Sequence, residues 1–291
     1  MKKNFLIINS FALKLIAFLL MTLDHVGIFM MASPDSTLVS IGTAFRLLGR
    51  LAFPLFVMML VEGVRHTRSF PKYALRLGIV ATIVLIAQII IYYYIDNSVG
   101  SAYSPLLDLL CYGTILFLLS RKDRWSILAI IPLALVIGSF VIELFEAHTA
   151  YTVKWFPPFF RSGYSIFGLM MALIMYFGYP LLKKFFIQFN MDVEDYEKGH
   201  LFRFYLNVIY AFGVIFSTIV VYLIAKIPNS DPFGVNNVGF SLTWAIASII
   251  IILLYNGERG YDSRWFRVAS YLYFPVHLVI IYFVFYIINI F

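Results

Sequence analysis

The sequence predicts an all-α membrane protein, a polytopic helical bundle of about nine spans in a single domain covering residues 1–291. Three observations lead to this fold class. The chain is 62% hydrophobic and only 13% charged, with a mean hydropathy of +0.89. Long apolar runs recur along its whole length. Most basic residues lie in the short connections between these runs, so the net charge of +7 is a topology signal and does not indicate a nucleic-acid partner.

Nine segments are apolar enough to cross a bilayer, although several are near the short limit. The predicted spans cover residues 7–31, 45–64, 76–95, 104–120, 126–147, 163–182, 204–225, 239–255 and 268–290. The first segment follows Met1-Lys2-Lys3 and resembles a signal peptide. It has no small-residue cleavage site, and Asp24 and His25 interrupt it, so we expect a retained span.

The distribution of basic residues predicts the orientation of these spans. Sixteen of the 22 lysines and arginines fall on the side that includes the N-terminus, which we expect to be cytoplasmic. The outer side has five: Arg46, Arg50, Lys154, Arg161 and Lys226. Nine spans then place the C-terminus outside. The predicted outer connections are the polar segment 32–44 and the aromatic segment 146–162, and the longest inner connection is 183–203.

The first predicted span carries the ionisable residues Lys14, Asp24 and His25. A charge at membrane depth is costly, so it normally faces a cavity or a partner. Lys14 and His25 are eleven positions apart, about three helical turns, so they share a face and lie about 16 Å apart along the axis. A neutral imidazole suits general-base catalysis near neutral pH. A buried histidine bonded to a neighbouring helix is the alternative interpretation.

The second predicted span opens with Arg46 and Arg50 on one face. Arg50 is the deeper of the two and is expected to pair with Asp24, whereas Arg46 either snorkels to the interface or joins the site. Pro54 is expected to bend this span and to free backbone groups beside the site. Glu62 closes the span, where it either pairs with the basic run that follows or helps to position a cofactor.

Other ionisable residues give weaker signals. His277, which follows Pro275 in the last span, is as compatible with a structural role as with a functional one. Asp108 is a further candidate within the fourth span. No role is predicted for His66 and His200, and an interfacial position is expected for Glu143, Glu146 and His148.

The connection after the second span holds four basic residues, Arg65, Arg68, Lys72 and Arg76. They would attract an anion on the cytoplasmic side, although they also serve simply as the orientation signal. The single cysteine, Cys111, excludes an internal disulfide and argues against a metal–thiolate cluster, and no metal site is predicted.

Four blocks of the sequence resemble the TraX family. They are ALKLIAFLLMTLDHVG, RLLGRLAFPLFVMMLVEGVRHTRS with KYALRL, YNGERG, and YLYFPVHL, and together they cover the first third and the last tenth of the chain. Members of that family are described as membrane acetyltransferases whose known role is N-terminal acetylation of conjugative pilin. The family is also distantly similar to the acyltransferase-3 and heparan-glucosaminide N-acetyltransferase group. Acyltransferase-3 proteins carry an arginine, ten residues, then a histidine, and here the same spacing joins Lys14 to His25.

This resemblance implies an acetyltransferase in the bacterial cytoplasmic membrane that takes acetyl-CoA from the cytoplasm as its acyl donor. The acceptor would be an amine or hydroxyl of an exported peptide, lipid or glycan. His25 would be the general base, or a transient acetyl carrier, with Asp24 and Arg50 as catalytic partners. The residues expected to bind acetyl-CoA are Lys14, Arg46, Glu62, Arg65, Arg68, Arg76 and His277.

Two other functions are compatible with the sequence. Asp24, His25 and Arg50 would also suit the proton relay of a secondary transporter, although no internal repeat is evident. A structural subunit of a secretion apparatus is the third possibility, which the density of buried charge disfavours. The sequence does not indicate the oligomeric state.

Overall fold

The computed structural model describes residues 6–94, 103–121, 123–189, 200–236 and 242–287, and this part of the chain is helical with no strands, which confirms the all-α prediction. Its α-helices are α1 (Ser10–Met31), α2 (Ser36–Gly49), α3 (Ala52–His66), α4 (Phe70–Tyr94), α5 (Pro105–Ser120), α6 (Ile130–Thr149), α7 (Ser165–Gln188), α8 (His200–Ala225), α9 (Ile249–Leu253) and α10 (Arg264–Ile287). Short 3-10 helices precede α6 (Arg124–Ala129), α7 (Pro158–Phe160) and α9 (Leu242–Ser248).

Seven of the helical segments in the described ranges are long and apolar enough to cross a membrane. Two shorter apolar segments, Pro105–Ser120 and Leu242–Leu253, occupy the positions of the fourth and eighth predicted spans. The orientation of the bundle stays a prediction. Several residues used for it or for the predicted spans lie outside the described residues: Lys2, Lys3, Lys122, Lys198, residues 190–199, and the ends of the predicted spans at 95, 239–241 and 288–290.

The second span begins earlier than its hydropathy indicates. Residues 36–44, predicted as an outer connection, form most of α2, and the Asp35 carboxylate caps that helix by accepting from Thr37 N at 2.8 Å. Helices α2 and α3 follow one another with an interruption at Arg50 and Leu51. Pro54 has no N–H to donate to the carbonyl of residue 50, so the interruption falls where a proline-induced bend is expected.

Helix α3 lies at the centre of the bundle. Leu55, Val57, Met58 and Val61 are fully buried, and α3 packs against α1, α5 and α7. Helix α10, by contrast, lies at the edge and contacts α1 and α4. The residues of α10 that face α1 are therefore held by one main neighbour and are close to the lipid side of the bundle.

Glycines allow α1 and α2 to approach each other closely. A Cβ added to Gly27 would lie 2.6 Å from Gly42 O, and one added to Gly49 would lie 2.6 Å from Asp24 Cα. Small residues at such contacts let helix backbones meet in a membrane, where the hydrophobic effect does not drive association. The close packing brings Asp24 of α1 against the last turn of α2.

We expect Gly49→Ala to destabilise the protein, because the added methyl group overlaps the backbone and side chain of Asp24. Overpacking of this kind costs about 1–3 kcal/mol, which thermal unfolding in detergent, followed by tryptophan fluorescence, would measure. Gly138→Ala is the matched control, since a Cβ at Gly138 in α6 meets nothing within 4 Å. Equal melting temperatures for the two variants would contradict the close α1–α2 contact.

The segment before α1 is joined to the connection between α9 and α10. Ile7 N donates to Leu254 O at 3.0 Å, and Asn256 N donates to Ile8 O at 2.8 Å. Ile8 and Tyr255 form an isolated parallel bridge, and further bonds extend to residue 259. We call this set of contacts the terminal clasp. It holds the start of α1 close to the start of α10, the two helices that carry His25 and His277.

Candidate functional site

Lys14 and His25 both face α10, as their spacing predicts. Lys14 Nζ lies 5.6 Å from the centre of the Phe266 ring, within cation–π distance. Three turns further along α1, His25 Nδ1 lies 3.1 Å from His277 Nε2. The two histidines that the sequence singles out are thus in contact with each other, in the interface between the first helix and the last.

Backbone carbonyls assign the tautomers of this histidine pair. Nδ1 of His25 lies 2.9 Å from Met21 O, and Nδ1 of His277 lies 2.8 Å from Tyr273 O. A carbonyl oxygen only accepts, so each Nδ1 carries the hydrogen. The single Nδ1–H of His25 is then shared between Met21 O and Nε2 of His277, which carries no hydrogen and accepts at 3.1 Å. In the neutral state this arrangement leaves the lone pair of His25 on Nε2, the atom of a general base.

Tyr273 fixes the position of the second histidine. Its ring stacks on His277, with centres 5.1 Å apart and an interplanar angle of 11°. Its hydroxyl lies 2.6 Å from Thr22 Oγ1, and Thr22 donates to Phe18 O at 3.0 Å. Neither residue was predicted to belong to the site, although Tyr273 is four positions before His277 and Thr22 is three before His25, spacings that place each on the same face as its histidine.

Asp24 pairs with Arg46, so the predicted pairing with Arg50 is wrong. Arg46 Nη1 donates to Asp24 Oδ2 at 2.6 Å, and both side chains are largely buried. The reason is the close α1–α2 packing at Gly49, which brings the last turn of α2 over Asp24. Arg50 follows that helix and lies at the interruption before α3.

Arg50 is half-buried and has no ion pair among the described residues, and its buried Nε has no hydrogen-bond partner there. It lies close enough to His25, Arg46 and Tyr164 to interact with each electrostatically. Two guanidinium groups and one carboxylate therefore meet beside His25. The imbalance leaves a positive charge available to an anionic group.

Glu62 lies at the centre of a buried network at the other end of α3. It accepts from Arg203 Nη1 at 2.9 Å and from Tyr210 Oη at 2.5 Å. Arg65 lies 3.5 Å away and His66 3.3 Å away, so the predicted pairing with the following basic run is confirmed. Arg203 and Tyr210 of α8 were not predicted, because a cation at the start of a span resembles a topology signal.

Arg65 uses its donors inside this network. Nη1 donates to Tyr210 Oη at 2.7 Å, and Nη2 donates to the carbonyls of Met175 and Tyr176, each at 3.2 Å. Its guanidinium also lies 4.4 Å from the centre of the Tyr179 ring. Next to it, Arg203 covers Tyr255, whose pKa is raised by burial and by the nearby Glu62. The network joins α3, α7 and α8.

A second buried network lies at the outer end predicted for α5, α6 and α7. Arg161 is fully buried and forms two bonds with Glu146, at 2.6 and 2.9 Å, and a third with Phe156 O at 2.6 Å. Glu143 is also buried among these helices, and its position at the membrane interface stays a prediction. The residues after α6 fold back over the helix end, where Val153 N and Arg161 both donate to Glu146.

Two cavities in the described ranges lie away from the histidine pair. One, of about 550 Å³, is an apolar groove between α4 and α5. The other, of about 490 Å³, lies at the end of α8 around Lys226 and Asp231. No group of three or more histidine, cysteine or acidic side chains in the described ranges is placed to hold a metal ion.

The bundle and its buried charges define a polytopic α-helical membrane protein with an ionisable site between its first and last helices. Residues 10–152, just under half of the chain, match the family described as TraX protein. This match supports a TraX family assignment for the chain. No curated protein and no solved structure matches it. The distant similarity to the acyltransferase-3 group stays a prediction.

Proposed function

We propose that this protein is an integral membrane acetyltransferase that moves an acetyl group from cytoplasmic acetyl-CoA to an amine or hydroxyl presented from the other side. Membership of a family associated with pilin acetylation is consistent with this activity. The observation that carries the proposal is the contact between His25 and His277, which orients an imidazole at membrane depth with its lone pair on Nε2.

In the proposed reaction, His25 Nε2 takes the proton of the acceptor as its nitrogen or oxygen attacks the thioester carbonyl. The carbonyl π electrons move to oxygen, and the tetrahedral intermediate collapses with cleavage of the C–S bond. The coenzyme A thiolate leaves and takes up a proton, which the His25 imidazolium can supply. His277 accepts from Nδ1 of His25 and so stabilises the imidazolium that forms.

Arg50 is the proposed oxyanion partner. It is close to His25, and its charge is not matched by a carboxylate among the described residues, because Asp24 is taken by Arg46. A donor that is already in place where negative charge develops contributes about 3–4 kcal/mol to such reactions. Arg46 and Asp24 would hold the site together without contacting the reacting atoms.

The proposed donor site lies at the start of α4. Arg68, Lys72 and Arg76 are exposed; Lys72 and Arg76 are four residues apart within α4 and share a face, and Arg68 lies just before the helix. Arg76 is near Tyr271 of α10, the helix that leads to His277. Such a face would bind the phosphates of coenzyme A, with the pantetheine arm running between α1 and α10. Arg65 is left out, because its donors are engaged.

The direct test is to incubate the purified protein in lipid with acetyl-CoA labelled in the acetyl group and to follow label transfer to peptide, lipid and glycan acceptors. Transfer that requires the protein supports the proposal. The alternative, a proton-coupled transporter using Asp24, His25 and Arg50, is distinguished by thermal unfolding with and without acetyl-CoA. The proposed enzyme is stabilised by the donor, whereas a carrier of another solute is not.

We expect Arg68→Glu combined with Lys72→Glu to raise KM for acetyl-CoA about tenfold or more, since two contacts to phosphate become repulsive, with kcat and melting temperature little changed. Arg124→Glu is the matched control, an exposed arginine before α6. Initial rates at varied acetyl-CoA concentration provide the measurement. An unchanged KM for acetyl-CoA would show that the donor does not bind at the start of α4.

A further inference from the structure

Two carboxyl groups lie close together inside the second buried network, at a place that the proposed reaction does not use. Asp108 of α5 is fully buried and Glu143 of α6 is 5% exposed. A chain of bonds joins their helices: Ser162 Oγ donates to Asp108, and Ser162 N donates to Ser139 Oγ at 3.0 Å. Ser139 is one helical turn before Glu143, so Glu143 faces the same space.

The two acids differ in their hydrogen bonds. Asp108 accepts from Ser162 Oγ and from Tyr164 N at 3.3 Å. The Tyr112 hydroxyl also lies 3.3 Å from Asp108, although its closer acceptor is Ser165 O at 2.9 Å. These donors suit an ionised carboxylate. Both carboxyl oxygens of Glu143 are buried, and within the described ranges neither has a partner at hydrogen-bond geometry, the nearest donor being the hydroxyl of Tyr103.

Nearby charge does not compensate Glu143. Arg161 is the cation close to it, but its guanidinium is bound to Glu146, Phe156 O and Val153 O. An ionised Glu143 would therefore be a second, unpaired negative charge beside Asp108, in a site without access to water. Burying such a charge costs several kcal/mol, and the group normally binds a cation or becomes neutral instead.

We propose that Glu143 and Asp108 form a buried proton-binding site in which Glu143 is a neutral carboxylic acid and Asp108 a carboxylate. A proton is preferred to a metal ion, because the described residues assemble no set of three metal-binding side chains here. The site goes beyond the proposed acetyl transfer and does not depend on it. Through Tyr164, whose ring stacks on Phe53 at 3.5 Å, it adjoins the Arg50 side of the bundle.

The proton on Glu143 determines the net charge at the place where α5, α6 and the start of α7 meet. The titratable and charged groups facing Glu143 are Tyr103, Asp108, Glu146 and Arg161, with Cys111, Tyr112 and Tyr164 around Asp108. Loss of the proton would place two like charges together and weaken this contact. The unfolded chain releases the same proton at acid pH, so the stabilisation is present at low pH and is lost as pH rises.

Infrared difference spectroscopy and thermal unfolding test this site in the full-length protein in lipid. We expect the carbonyl band of a protonated carboxyl group at neutral pH in the wild type and its loss in Glu143→Gln, which keeps the neutral shape. The wild-type melting temperature should fall between about pH 5 and about pH 8, and the fall should be about 5 °C smaller in Glu143→Gln. Glu258→Gln, at an exposed acid, should leave both results unchanged.

Two results would overturn the proposal. The first is a wild-type spectrum whose carboxyl band is unaffected by Glu143→Gln, together with equal pH dependence of the two proteins. The second is stabilisation by sodium, relative to choline at equal ionic strength, that disappears in Glu143→Gln, which would assign a metal ion to the site. The label-transfer assay is read separately, so failure of the acetyl-transfer proposal would leave this one standing.

Discussion

His25→Ala should lower kcat for acetyl transfer by about 10²- to 10⁴-fold, the usual contribution of a general base. The purified variant would be assayed with labelled acetyl-CoA in lipid beside the wild type. Because His25 is only half-buried, the variant should remain folded even though its ring contact with α10 is lost. Its melting temperature would verify this. His148→Ala, at an exposed histidine at the end of α6, should retain full activity.

His277→Ala separates positioning from catalysis in the same assay. The side chain accepts from His25 Nδ1 and does not contact the reacting atoms in the proposed reaction, so a smaller loss of about tenfold is expected. If a folded His25→Ala protein transferred acetyl at the wild-type rate, the imidazole of His25 would not take part in the reaction. Equal losses for the two variants would instead indicate that the pair acts as a unit.

Glu62→Ala should be the most destabilising single change in the bundle. It removes the carboxylate that Arg203 and Tyr210 contact and leaves two arginines close together. Breaking a buried ion pair by removing one partner costs about 3–5 kcal/mol, which corresponds to a fall of about 10 °C in melting temperature. Thermal unfolding in detergent would measure it.

Two further variants serve as controls for the melting temperature of Glu62→Ala. Glu62→Leu combined with Arg203→Leu should recover part of the lost stability, because apolar residues can replace a buried pair. Arg121→Ala removes the exposed pair with Asp123 and should leave the melting temperature unchanged. A Glu62→Ala protein as stable as the wild type would show that the network is not needed for folding.

The long apolar segments of the chain predict its fold well, because each helix that crosses the hydrocarbon core of the bilayer needs a long apolar segment. It fails at α2. Residues 36–44 include four serines and threonines and Gly42, yet they are helical, because a cap at Asp35 and the close contact of Gly42 with Gly27 stabilise this segment of the chain as a helix. Contacts of this kind form between two helices, so the hydropathy of either segment alone does not predict them.

The candidate site was predicted in part. Spacing alone places Lys14 and His25 on one face, since that follows from helix geometry. Which arginine pairs with Asp24 depends on how α1 and α2 cross, and Glu62 meets Arg203 from a helix far along the chain. The sequence holds no local signal for either pairing. The same holds for Glu143, which is buried near Asp108 of another helix and Arg161 of the segment that follows α6.

The terminal clasp has a consequence for how the protein is made. Ile7 and Ile8 leave the ribosome long before Leu254 and Asn256, their hydrogen-bond partners, are synthesised. The first helix therefore enters the bilayer before its neighbour α10 exists. A nascent chain that stops before residue 254 can insert its early helices but lacks both the partners of the clasp and His277.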